Sequence, residues 1–156
     1  MSEVDELRRE ASDPATPGER LEAIRRWVVR EAARRDPPEM PEVYAVQAAL
    51  LRNPSYPVDL LRQALRGRGG YGSIAAWHNP LVPLLLLQEP LEEYGEAALR
   101  TLRSLAPVAI HGALARAVEL PEAIAVCAAT PAAEGGMARG HARHLASVFG
   151  LPWPPE

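Results

Sequence analysis

His141 and His144 stand three residues apart, a spacing that on a helix sets two imidazoles one above the other, as a transition-metal site requires. His111 and Cys127 supply the further nitrogen and sulfur that a tetrahedral set would need. No Glu accompanies the pair in the metalloprotease pattern, and His141 falls on the apolar face of its segment with Ala138, Ala142 and Leu145. A core histidine bonded to a carbonyl is therefore the favoured reading, and no metal or other cofactor is expected. The glycine-rich run Gly67-Arg68-Gly69-Gly70-Tyr71-Gly72 exposes backbone N–H groups of the kind that hold phosphate. It lacks the Lys-Ser/Thr ending of a phosphate-binding loop and follows a helix rather than a strand, so it reads as an inter-helix loop.

Two further constellations bear on binding. Arg26, Arg30 and Arg34 form a row with helical spacing that could track a nucleic-acid backbone. Glu22 and Glu31 stand four residues before Arg26 and Arg35, and residues 1–42 hold eleven acids against eight arginines, which describes an ordinary solvated face. Aromatic residues and arginine anchor protein interfaces, which makes Arg66, Arg68, Tyr71, Trp77 and His78 the candidate contact patch. For Trp77 itself the favoured reading is core, filling the junction between stacked repeats, since positions just upstream of the turn face inward. Leu151-Pro152-Trp153-Pro154-Pro155 must be extended, either as a polyproline ligand or as a cap lying across the last helix. Catalysis has little support: there is no Gly-x-Ser-x-Gly elbow, and Cys127 lies among Ala and Val, where thiols are unreactive. Glu92, Glu93 and Glu96 carry no partner of evident use, and no catalytic residue is assigned.

The elements that would position these groups follow a recurring grammar. Asp13-Pro14-Ala15-Thr16-Pro17, Asn53-Pro54-Ser55-Tyr56-Pro57 and Asn79-Pro80-Leu81-Val82-Pro83 each combine an acid or amide, Pro, two residues and Pro. Asn or Asp before Pro favours a turn, since its side chain bonds the backbone ahead and Pro pre-sets φ. The second Pro suits the first position of a helix, where a missing N–H costs nothing. In the first copy Thr16 and Glu19 are placed as a capping box.

With small apolar residues just upstream (Ala48-Ala49-Leu50-Leu51 and Ile74-Ala75-Ala76) these motifs resemble the variant leucine-rich repeat proteins, whose repeat carries Asn-Pro-x-Thr-Pro before a Leu-rich helix. The resemblance covers roughly residues 7–90 and implies α-helices alternating with 3₁₀ pieces in a right-handed, HEAT-like stack. The spacing departs from it: Asp13 to Asn53 is 40 residues and Asn53 to Asn79 is 26, and the cysteine cluster of some members is missing. The resemblance implies no enzymatic activity.

Composition agrees with short helices. Alanine and leucine abound, while 16 prolines forbid long unbroken runs. All 17 basic residues are arginine, as in proteins of GC-rich bacterial genomes, and the net charge of −3 gives no general attraction to nucleic acid or anionic membrane. A single cysteine, an acidic N-terminus and no long apolar run point to a soluble, cytoplasmic protein. Helices are expected over about 3–11, 17–35, from Pro41, from Pro57 to the glycines, over 74–78 and 84–87, then over 91–105 with a break at Gly95. Others open at Pro107 and Pro121, and a last one follows Gly135-Gly136. The expected architecture is all-α, an irregular helical-repeat stack of about eight to ten helices, many opened by Pro. Residues 1–150 form one domain (7–90 repeat-like, 91–150 less regular) and 151–156 a Pro-rich tail. The expected function is a non-enzymatic protein–protein interaction module or scaffold. A nucleic-acid-binding helical repeat using the arginine row is the alternative, and a metal-binding protein using His141 and His144 a weaker one.

Overall fold

A computed structural model describes residues 2–67, 71–88 and 91–155, with only the backbone given for 71–73 and 91–93. The fold is all-α, with ten α-helices and no strand among the described residues. In chain order they are α1 (Glu3–Ser12), α2 (Gly18–Arg34), α3 (Met40–Arg52), α4 (Val58–Leu65), α5 (Tyr71–Trp77), α6 (Val82–Gln88), α7 (Leu91–Ser104), α8 (Val108–Arg116), α9 (Leu120–Ala129) and α10 (Ala132–Phe149). A 3₁₀ turn, Pro37–Glu39, leads into α3.

Local chemistry explains most boundaries. Ser2 caps α1 by a capping box: its hydroxyl accepts from the Asp5 N–H at 3.2 Å, and Asp5 accepts from the Ser2 N–H at 3.3 Å. The expected second box does not form. Pro17 itself takes the N-cap position of α2 in extended conformation (φ −61°, ψ 147°), which moves Thr16 out of reach. The Thr16 hydroxyl instead donates to the Glu10 carbonyl at 2.6 Å, a second donor to an acceptor that the Asp13 N–H also reaches at 3.2 Å. Pro57 and Pro107 are N-caps in the same way. These three prolines thus stand one residue earlier than expected, ahead of the first helical residue, whereas Pro41, Pro83 and Pro121 are the second residues of α3, α6 and α9. Ala32 is exposed, and the buried face of α2 is Leu21, Ile24, Trp27 and Val28. Helix α7 is unbroken at Gly95. Helix α10 begins at Ala132, before the glycine pair, and kinks at Gly136, whose φ of +54° is left-handed and suits a residue without Cβ.

Packing builds two neighbouring halves on one continuous apolar core. Helices α1, α3 and α5 lie side by side, with α2 against α3 and α4 against α5; α7, α9 and α10 pack together, with α8 against α7 and α9. Contacts α4–α7 and α6–α10 join the halves. Trp77, fully buried, sits at the junction, edge-on to Tyr94 with ring centroids 6.4 Å apart and 5.5 Å from Phe149. Each such burial contributes roughly 1.5–3 kcal/mol of apolar transfer free energy. Arginine caps helix ends in the second half. Arg103 donates to the Leu114 and Ala117 carbonyls at the end of α8, and Arg139 to the Thr130 carbonyl after α9. Arg139 also lies over the Trp153 ring, 5.3 Å from its centroid, which holds the extended tail against the end of the molecule.

Candidate interaction surface and the asparagine ladder

The three Asx-Pro turns have one geometry. Asp13, Asn53 and Asn79 each accept, through side-chain Oδ1, the N–H two residues on (Ala15, Ser55 and Leu81), all at 2.9 Å. The amide side chains also reach backward across the fold. Asn53 Nδ2 donates to the carbonyls of Ala11 (2.8 Å) and Asp13 (2.9 Å), and Asn79 Nδ2 donates to those of Leu51 (2.8 Å) and Asn53 (2.9 Å). Each asparagine therefore ties its own turn to the preceding one, at the carbonyls of the preceding Asx and of the residue two before it. Both amides are almost fully buried, so these bonds hold carbonyls that water cannot reach. An Asp can make the turn but has no donor for the backward step, and Asp13 makes only the turn.

The next carbonyl in the series is that of Trp77, two residues before Asn79. It accepts from His144 Nε2 at 2.8 Å, so His144 carries its proton on Nε2 and takes the place of an asparagine at the end of the ladder. This bond crosses from the half built on α1, α3 and α5 to α10. The ring of His78 stacks on His144, centroids 3.8 Å apart and planes within 14°. His141, buried at 4 % exposure, lies 6.0 Å from His78 and 6.4 Å from His144, and neither of its ring nitrogens has a partner among the described residues. Burial first, then the neighbouring His78 and His144, pull the His141 pKa down to about 4. His78 is also lowered to about 4, by desolvation, His144 and Arg52.

The metal reading needs convergence that these rings do not show. His78 and His144 stack face to face, His144 Nε2 is committed to Trp77, and His111 is exposed while Cys127 is buried. Among the described residues no group of three or more His, Cys, Asp or Glu side chains is arranged to hold a metal ion. Burial raises the Cys127 thiol to about 11, so it is held protonated.

The candidate contact patch is divided. Trp77 has no exposed surface and is withdrawn from it: the residue before the buried His-Asn turn faces the junction between the halves, where its ring packs on Tyr94 and Phe149. His78 is exposed beside His144. Arg66 is exposed, with its guanidinium 5.4 Å from the Tyr94 ring centroid. Arg68, and the side chain of Tyr71, lie outside the described residues, as does most of the glycine-rich run. On α2, Arg26, Arg30 and Arg34 are all exposed, and Arg34 is paired with Glu31 at 2.7 Å. Glu31 pairs with Arg35 at 2.7 Å as the spacing predicts, whereas Glu22 pairs at 2.7 Å with Arg25, three residues on, and not with Arg26.

The structure adds residues that sequence reasoning did not select. On α6, Leu84 and Leu87 are 56 % and 83 % exposed, while Val82, Leu85 and Leu86 are buried. A run of four leucines carries no period, so its outer side was not visible in advance. Arg52 and His78 both immediately precede the turn asparagine, and Ser12 precedes Asp13, a correspondence that aligning the three motifs exposes. No helix among the described residues is long and apolar enough to cross a membrane. Comparison with protein-family models, curated proteins and solved structures finds no match to this chain.

Proposed function

We propose that this protein is a non-enzymatic interaction module, a short helical-repeat stack that binds another protein through its outer surface. The observation that carries the reading is the apolar face of α6. Leu84 and Leu87 are one helical turn apart and open to solvent, beside exposed Pro83. Together with Pro83 they form an apolar face that a partner could cover. Shallow clefts between helices, such as the one between α2 and α3 lined by Met40, Pro41 and Tyr44, offer further relief for such a partner. The test is affinity capture from the native host lysate, at low and moderate salt with nuclease treatment, using the natural chain and a Leu84→Asp/Leu87→Asp variant. A discrete protein that survives salt and nuclease and is lost with the variant supports the reading. Its equal recovery by both proteins, or the absence of any such protein, counts against it.

The second reading, a nucleic-acid-binding helical repeat, draws on Arg26 and Arg30, which are exposed and form no ion pair with an acid among the described residues. It predicts recovery of nucleic acid whose binding weakens steeply with salt. In both readings the protein acts without a cofactor and inside the cell.

A further inference from the structure

The outer side of α1 and α3 holds a groove of about 410 Å³ lined by Arg8, Ser12, Ala48, Ala49 and Arg52. Two arginines face one another across this groove, Arg8 on α1 and Arg52 on α3. Arg25, Arg34, Arg35 and Arg62 each pair with a Glu or Asp three or four residues earlier. Arg52 has Ala48 and Ala49 at those positions, so no acid of its own helix can reach it. Arg8 has Val4 and Asp5 there, and the Asp5 carboxylate is engaged with the hydroxyl and N–H of Ser2 at the start of the helix. Neither guanidinium forms an ion pair among the described residues, and both are exposed. The alanines leave the floor low, so an incoming main chain can approach both charges.

Beyond the groove, the positions that edge it recur in the next turn. Ser12, Arg52 and His78 occupy the same place in the three turns, immediately before Asp13, Asn53 and Asn79, and the ladder brings those turns side by side. The row therefore runs across α1, α3 and α5 and ends on the stacked imidazoles of His78 and His144. Neighbouring helix axes lie about 8–10 Å apart, so the row spans about 20 Å, close to six residues of extended chain.

We propose that this row binds an extended acidic peptide segment of a partner protein, with its carboxylates on Arg8 and Arg52 and its main chain over the alanine floor. The inference rests on the interaction-module reading and gives that module a partner chemistry. Guanidinium groups take carboxylates in paired hydrogen bonds, and neither of these two is held in an ion pair among the described residues, though Asp5 lies close enough to feel Arg8. A nucleic-acid strand fits less well, since two permanent charges on a chain of net charge −3 neutralise few phosphates.

The test uses the full chain against a displayed library of random peptides about a dozen residues long, roughly twice the span of the row. Selected peptides are then titrated by fluorescence anisotropy against the natural chain, an Arg8→Ala/Arg52→Ala variant and the Leu84→Asp/Leu87→Asp variant. Selection of Asp- and Glu-rich peptides is expected, with affinity falling about tenfold or more in the arginine variant. Circular dichroism of both variants checks that these exposed substitutions leave the fold intact. Peptides without acidic enrichment, bound equally by the arginine variant but lost with the leucine variant, overturn the acidic-peptide inference and leave the module reading standing. A single-stranded oligonucleotide that binds more tightly than any selected peptide, in an Arg8- and Arg52-dependent manner, overturns it in favour of nucleic acid. Failure to select any peptide overturns it as well, and if the lysate also yields no partner the module reading falls with it.

Discussion

Replacing Asn79 by Asp changes one NH₂ group to an oxygen and should be among the most damaging substitutions in the chain. Asn79 is 2 % exposed; its Nδ2 donates to Leu51 and Asn53 carbonyls, and its Oδ1 accepts from Leu81 N–H. At about 1 kcal/mol per hydrogen bond the three bonds contribute roughly 3 kcal/mol, and a buried carbonyl left without a donor costs about 1–3 kcal/mol more. Asn53 O keeps a second donor in the Tyr56 N–H, so only Leu51 O loses its side-chain donor outright. Asn79→Ala should therefore cost about 4 kcal/mol in urea unfolding followed by circular dichroism. Asn79→Asp keeps the turn but aims a carboxylate at two carbonyl oxygens, and at neutral pH it should be less stable than the Ala variant. Its folded-state pKa must lie above the ordinary Asp value. The variant therefore gains stability as pH falls through that raised value, because the protonated acid can donate again. Asp13→Asn, by contrast, should be close to neutral, because Asp13 makes only the forward turn bond. An Asn79→Asp protein as stable as the natural chain at neutral pH would refute the ladder.

Further outcomes follow from the junction. His141 and His78 titrate at about 4 in the folded chain and near 6.5 unfolded, so the unfolded state takes up protons first. Stability should fall as pH drops from about 6.5 to 4 and then level off for these groups, with buried His141 accounting for on the order of 3 kcal/mol. His141→Leu should flatten the upper part of that window, above the range where carboxylates titrate, in urea midpoints measured across pH. Trp77→Ala should cost about 3–5 kcal/mol because it empties the junction, and its effect on partner binding should track unfolding instead of contact. Native Cys127 should resist a thiol-disulfide reagent and react at once when urea is added, since it is buried and its pKa is raised to about 11.

Much of the helical plan was legible because proline and capping residues punctuate it. Ser2 with Asp5, the three Asx-Pro turns and the proline-opened helices after Pro107 and Pro121 are local chemistry, readable without neighbours. The placement of Thr16 was not, because its competitor for the cap, Pro17, and its acceptor, Glu10, act together only once α1 and α2 fold back. The ladder was half visible. The forward bond of each Asn is a property of the tripeptide, whereas the backward bonds join residues 26 to 42 positions apart. His144 in particular reaches Trp77 across 67 residues, with no motif to announce it. Trp77 was legible as core from its place just upstream of the turn, but not the rings it meets, because Tyr94 and Phe149 come from the distant α7 and α10. The sites lie further out of reach, because Leu84 and Leu87 are distinguished by what fails to cover them, and Arg8 and Arg52 by a groove that only the packing of α1 on α3 creates.

The arrangement of every surface described above depends on Asn53, Asn79 and His144 tying successive turns together. The most direct measurement is hydrogen exchange at the Asn53 and Asn79 side-chain amides by nuclear magnetic resonance on nitrogen-labelled protein, with Gln63, which is exposed, as the internal reference. The ladder predicts both asparagine amides strongly protected, with Asn79 protection falling in His144→Ala as the last rung is removed. Exchange at the rate of Gln63 in the native chain would contradict it.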